Sequence, residues 1–177
     1  MLAKSATQLR VFSTAQQLKQ AVQASYAIAK SHNLDDVCNF LIHREGMSPA
    51  KVQAMKEEYV RFIALAFNHH SSNKRIGISS EVDPFWHTHI LFTQNYTDFC
   101  QKIGGFYFHH EPTITDLDVQ RITPDFKKNT LALYRQHFGT PSATFWGSNS
   151  PLCQYNITAL CQYNVKNDPH FAIAATA

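Results

Sequence analysis

The stretch that decides the fold of this chain is residues 82–112, VDPFWHTHILFTQNYTDFCQKIGGFYFHHEP. Asp83 followed by Pro84 predicts a helix start, because the carboxylate accepts free amide protons at a helix N-terminus and proline has no amide proton there. The two glycines at 104–105 predict the end of the helix, since glycine readily adopts the left-handed conformation that terminates helices. The pattern therefore predicts one central helix of about twenty residues, from Pro84 to Ile103.

Four histidines lie in this stretch, two near each end: His87, His89, His109 and His110. An advance of 100° per residue turns His89 towards the apolar face of the helix, about 160° away from His87. A regular helix therefore cannot offer both rings to one ion in the way that an i, i+4 pair does. Asp83 lies one turn before His87, where it can act as a carboxylate ligand or as the acceptor that fixes the histidine tautomer.

Imidazoles that converge from both ends of one segment predict a metal site. A divalent ion requires neutral imidazole, and the positive end of a helix dipole disfavours imidazolium, so His87 and His89 stay available as ligands. The predicted cofactor is Zn²⁺ or another divalent metal. The predicted ligands are His87, His89, His109 and His110, with His110 and His87 as the favoured pair. A twenty-residue helix is about 30 Å long, so residues 106–110 have to run back along it.

Two functions are compatible with such a site. An open coordination position would let the ion activate water, which makes hydrolysis the natural reaction, whereas a closed four-ligand site would make the metal structural. The alternative is a non-catalytic protein-interaction module in which the histidines are structural. Whether the protein is an enzyme stays open at this point.

The motif resembles one known family. The matching residues are Asp83, Trp86, His87, His89, Leu91, Tyr96, Cys100, Gly105, His109, His110 and Pro112. On these residues the chain is identified as a bacterial-type member of the glycine-rich domain-containing protein-like family, over roughly half of its length. One departure is Phe99, where that family has an acidic residue, with Asp98 one position earlier. The resemblance implies a family and no reaction.

A thiol-dependent enzyme is a different class, with Cys100 as the nucleophile. It is less favoured, because Cys100 lies about 16 Å along the helix axis from His89, too far for that histidine to act as its base. The other three cysteines are Cys38, Cys153 and Cys161. Four widely spaced cysteines predict reduced thiols, with no obligatory disulfide between Cys153 and Cys161.

Composition limits the remaining classes. The chain has 177 residues, of which 44% are hydrophobic and 16% charged, which is typical of one well-packed domain. Lysine and arginine exceed the acidic residues by 16 − 13 = 3 and are scattered, so no nucleic-acid partner is expected. Neither a signal peptide nor an 18-residue apolar span is evident, so we expect a cytoplasmic protein without a membrane partner. A protein partner stays open.

Every strongly periodic segment has helical spacing and is bounded by capping residues. These segments are residues 14–31, 35–46, 49–67 and 126–139, and residues 113–122 are expected to contain a further short helix. We therefore predict an all-α, single-domain helical bundle of five or six helices with an irregular C-terminal tail. The helical domain is residues 1–139, and residues 140–177 form a Pro/Ser/Asn/Cys-rich tail that packs Trp146 on it.

Overall fold

The computed structural model describes residues 14–69, 76–112, 117, 126–147 and 151–155. This part of the chain is mainly helical, which confirms the predicted all-α class. The helices are α1 (Ala15–Ser31), α2 (Asp35–His43), α3 (Pro49–His69), α4 (Asp83–Leu91), α5 (Thr93–Gly104), α6 (Leu131–Phe138) and α7 (Ala143–Trp146). A π-helical turn, Phe126–Thr130, leads into α6, and the short strands are β1 (Ile76–Ser79), β2 (Glu111–Pro112) and β3 (Pro151–Tyr155). The helix predicted within residues 113–122 lies outside the described residues, apart from residue 117.

Helix α3 is the centre of the core. Its apolar stripe, from Val52 through Met55 and Tyr59 to Phe67, is buried, and the helix packs against α1, α2, α4 and α6. Pro49 begins it, as predicted, because proline has no amide proton to leave unpaired in a first turn. Among the described residues, no helix combines the length and the apolar character needed to cross a bilayer.

The predicted single helix from Pro84 to Ile103 is wrong, because the helix is interrupted at Phe92. The backbone angles of Phe92 are φ −85° and ψ 65°, which are not helical, and α5 starts at the next residue. The break allows the side-chain oxygen of Asn95 to lie 2.8 Å from Nε2 of His89. Residues six apart in a continuous helix are about 9 Å apart along its axis, so this contact requires the break.

Two glycines end α5 and allow the chain to return across α3. Gly105 has φ +76°, the left-handed conformation expected at a helix C-terminus. A Cβ on Gly104 would overlap the ring of Phe67, so only glycine fits this approach. Beyond the turn, Phe106 and Phe108 stack near the same ring, at centroid distances of 5.0 and 4.7 Å. This packing fixes the path of the segment that carries His109 and His110.

A small antiparallel sheet lies beside the helices, in the strand order β1-β3-β2. Ile76 pairs with Tyr155, and Glu111 pairs with Gln154. Strand β3 and helix α7 both belong to the predicted tail, and Trp146 of α7 is buried against the bundle. The division of the chain at residue 139 stays a prediction. His110 immediately precedes β2, so the sheet begins where the histidine segment ends.

Candidate metal centre

Asp83 lies at the first turn of α4 and is 1% exposed. The helix begins at Asp83 with Val82 as its N-cap, one residue earlier than predicted. Oδ2 of Asp83 is 3.3 Å from Nε2 of His87, one turn later on the same helix, and Oδ1 is 3.0 Å from Nε2 of His110. The carboxylate therefore faces two imidazoles, one from its own helix and one from the segment that returns after α5.

The three side chains are close enough together to share one metal ion. One ligand atom from each of Asp83, His87 and His110 lies within 4.8 Å of the others. For metal bonds of about 2.0–2.1 Å, neighbouring ligand atoms are about 2.9 Å apart in an octahedron and about 3.3 Å apart in a tetrahedron. The contacts of Asp83, at 3.0 Å from Oδ1 and 3.3 Å from Oδ2, are close to these spacings but involve two different oxygens.

The two imidazoles differ in exposure. The side chain of His110 is 7% exposed, and its ring packs edge-on against Trp86 and His87, with both centroids at 4.4 Å. His87 is 53% exposed. The group is thus closed by protein on the side of His110 and open to solvent on the side of His87.

The pKa of His87 is lowered from its ordinary value. Burial is the main cause, the neighbouring His110 adds to it, and Asp83 opposes it. The lowered pKa favours the neutral imidazole, which is the form that binds a metal ion.

His89 does not join this group, although it was one of the four predicted ligands. Its Nδ1 is 2.8 Å from the hydroxyl of Tyr59 and its Nε2 is 2.8 Å from the side-chain oxygen of Asn95. That oxygen can only accept, so Nε2 carries the proton and Nδ1 accepts from Tyr59. Burial lowers the pKa of His89 to about 4. Both ring nitrogens are already engaged, and the residue is part of the core.

His109 also lies outside the group. Its ring packs against that of Tyr107, at a centroid distance of 4.6 Å. The structure thus brings together two of the four predicted histidines, His87 and His110, which are the pair that the sequence favoured. It adds Asp83, which the i, i+4 spacing to His87 had already suggested as a ligand or an acceptor.

The hypothesis of a thiol-dependent enzyme finds no support in the surroundings of Cys100. This residue is fully buried, and burial raises the pKa of its thiol to about 12. A reactive cysteine requires a thiolate at neutral pH, in an accessible and electropositive environment. Cys100 is instead a protonated thiol in the core, and Cys38 is buried in the same way.

The fold and the site define a helical protein with a candidate Asp/His/His metal centre. The UCP032817-like family model matches residues 6–122, about two thirds of the chain, so the chain belongs to that family. The resemblance to the glycine-rich domain-containing protein-like family is therefore wrong, because a short Trp-His-x-His motif is not specific enough to choose between families. The family description names no activity. No match was found among curated proteins or among solved structures.

Proposed function

We propose that this protein binds a divalent metal ion, with Zn²⁺ preferred, at Asp83, His87 and His110, and uses it to activate water for hydrolysis. The observation that carries the proposal is the convergence of a buried carboxylate and two imidazoles within 4.8 Å. Two imidazoles and one carboxylate are a ligand set typical of catalytic Zn²⁺.

An open site favours the catalytic form of the proposal. Structural Zn²⁺ sites are closed by four protein ligands, whereas catalytic sites use three and leave one position for water. The described group supplies three ligands, and the exposure of His87 leaves one side open to solvent. The ion would supply Lewis acidity and lower the pKa of water to about 7.

The chain itself contributes orientation and charge. Asp83, held inside the protein, offers a negative charge that compensates part of the charge of the ion. The ring of His110 packs against the rings of Trp86 and His87, and these contacts restrict its rotation. Trp86 also excludes water from the buried side of the group, because its ring is 1% exposed.

One observation favours a second candidate, a non-catalytic interaction module with structural histidines. The contacts of Asp83 with His87 and His110 are close enough to bridge the two imidazoles without an ion. In that case Asp83 joins α4 to the segment after α5 by hydrogen bonds alone.

Elemental analysis and calorimetric Zn²⁺ titration of the purified protein separate the two candidates. We expect one bound ion in the natural protein and loss of binding in His87→Ala and His110→Ala. His109→Ala is the matched control, because His109 neighbours His110 but is not in the group. The metal site does not exist if His87→Ala and His110→Ala both keep the metal content and melting temperature of the natural protein.

The same variants separate a catalytic ion from a structural one. A structural ion contributes its binding free energy to folding, so removing it would destabilise the protein by several kcal/mol. For a catalytic ion we expect a folded metal-free protein and Zn²⁺-dependent hydrolysis of nitrophenyl esters or phosphates. This activity should disappear in His110→Ala and persist in His109→Ala.

A further inference from the structure

A buried chain of hydrogen bonds runs beside the candidate centre. The indole N–H of Trp86 donates to the hydroxyl of Tyr96, at 2.9 Å, and this hydroxyl donates to the carbonyl oxygen of Phe108, at 2.5 Å. Both directions are fixed, because an indole nitrogen only donates and a carbonyl oxygen only accepts. All three residues are at most 1% exposed. Tyr96 thus joins α4 to the segment that returns after α5.

The two hydrogen-bond partners described above, Trp86 and Phe108, connect Tyr96 to His110. Trp86 lies between Asp83 and His87 in α4, and its ring packs against the His110 ring, at a centroid distance of 4.4 Å. Phe108 lies two residues before His110, so its carbonyl fixes the main chain from which the imidazole extends. Loss of the Tyr96 hydroxyl would remove one hydrogen bond that supports the Trp86 ring and one that supports the main chain at Phe108.

We propose that Tyr96 is a positioning residue of the metal centre, which holds His110 at Asp83 and His87 through Trp86 and Phe108. The inference rests on the proposed function, since the role of Tyr96 is measured by metal affinity. Such supporting contacts orient ligands that would otherwise sample several rotamers.

The chemistry of Tyr96 suits this role. Burial raises the pKa of its hydroxyl well above the usual value, so the proton donated to Phe108 is retained throughout the range in which imidazoles are neutral. The bonds are also shielded from competing water, because Tyr96 has no exposed surface.

Tyr59 provides a matched control. It too is fully buried, and its hydroxyl also bonds to a residue of α4, Nδ1 of His89 at 2.8 Å. Among the described residues, its hydroxyl makes no hydrogen bond to the segment that carries His110. Replacing either tyrosine by phenylalanine removes one buried hydroxyl, but only Tyr96→Phe removes a link to His110.

The test compares the Kd for Zn²⁺ in Tyr96→Phe and Tyr59→Phe, measured by chelator competition, with the melting temperature of each metal-free variant. We expect both metal-free variants to have a lower melting temperature than the metal-free natural protein. Tyr96→Phe should raise the Kd roughly 10-fold, the size seen when support of a ligand is lost. The Kd of Tyr59→Phe should stay within about twofold of the natural value, because the Tyr59 hydroxyl bonds to His89 and not to the segment that carries His110. The visible absorption of the Co²⁺-loaded protein should change only in Tyr96→Phe, because it reports ligand geometry.

If Tyr96→Phe does not fold, Trp86→Phe replaces it, since this change removes the donor to Tyr96. Because Trp86 also packs against His110, the decisive result in this variant is an unchanged Kd, which overturns the inference. The inference is overturned if the Kd for Zn²⁺ is unchanged in Tyr96→Phe, or if Tyr59→Phe weakens Zn²⁺ binding to the same extent. The proposed function survives either result, provided that His110→Ala abolishes binding. A natural protein that binds no Zn²⁺ overturns the proposed function, and the inference with it.

Discussion

The indole nitrogen of Trp146 donates a 2.6 Å hydrogen bond to Oε2 of Glu58, across 88 positions of the chain. The same oxygen accepts from the hydroxyl of Tyr134 at 2.5 Å, and Oε1 accepts from Arg61 at 3.0 Å. Glu58 is buried, so this carboxylate has three donors in place of water. It holds α6 and α7 against α3.

Removing the charge of Glu58 should therefore destabilise the protein. In Glu58→Gln, an amide group faces donors that the carboxylate satisfied, and we expect a loss of about 3 kcal/mol in the free energy of unfolding. Glu57→Gln is the control, because Glu57 pairs with the same Arg61 but is partly exposed; its loss should stay under about 1 kcal/mol. Urea denaturation followed by tryptophan fluorescence measures both. Equal losses would mean that the buried network adds nothing beyond a surface ion pair.

Gly104 and Gly105 should respond differently to alanine. A Cβ at position 104 overlaps the ring of Phe67, whereas position 105 has open space but a positive φ. We expect Gly104→Ala to cost about 3 kcal/mol by overpacking and Gly105→Ala about 1 kcal/mol by backbone strain. In a Phe67→Leu background the cost of Gly104→Ala should fall and that of Gly105→Ala should not change. Thermal denaturation of the single and double variants measures both cycles. If the costs of Gly104→Ala and Phe67→Leu are additive, the overlap with Phe67 is not the cause of the cost at position 104.

Acid should destabilise the metal-free protein. The ordinary pKa of His89 is 6.5, and burial lowers it to about 4 in the folded chain. Between these pH values the unfolded chain binds a proton that the folded chain does not. As the pH is lowered, the free energy of unfolding therefore decreases by roughly 3 kcal/mol on account of His89, and this contribution levels off below pH 4. Burial also lowers the pKa values of His87 and His137, which act in the same direction.

Urea titrations in chelator, at intervals from pH 7.5 to about 4, measure this dependence. His89→Gln should start from a lower stability, because it loses contacts with Tyr59 and Asn95, but should show a shallower decline. If the free energy of unfolding of His89→Gln decreases as steeply as that of the natural protein, His89 is not the cause of the pH dependence.

Cys100 should be unreactive in the native protein. Its buried thiol has a pKa of about 12, so almost no thiolate exists at pH 8. Iodoacetamide should modify it only after unfolding, and peptide mass spectrometry measures the extent at each site. Rapid modification of Cys100 in the folded protein would restore the thiol-dependent enzyme as a candidate.

The sequence was most informative where the signals are local. Predicted residues 14–31 and 49–67 correspond to Ala15–Ser31 and Pro49–His69, because caps and apolar spacing act within a few residues. The break at Phe92 was missed, since neither proline nor glycine marks it and its support comes from contacts such as that between the rings of Phe40 and Phe92. Strand β3 was missed for the same reason, because its partner β1 lies about 75 positions earlier.

The candidate site was partly predictable. The i, i+4 spacing places Asp83 and His87 on one side of a helix, and this relation survives because both lie before the break at Phe92. The contact with His110 depends on how the chain returns after Gly105, which no local pattern specifies. The prediction of His89 as a ligand depends on its nearness to His87, although its angular position already directs it into the core.

The central strand of the sheet, β3, is synthesised after both of its neighbours, β1 and β2. Ile76–Ser79 and Glu111–Pro112 do not pair with each other, and each finds its described strand partner only in Pro151–Tyr155. A nascent chain that has not reached residue 151 therefore lacks the backbone partner that anchors the segment directly after His110. Ordering of this edge of the candidate centre is thus expected only after Pro151–Tyr155 has been synthesised, and so is the metal affinity that we propose.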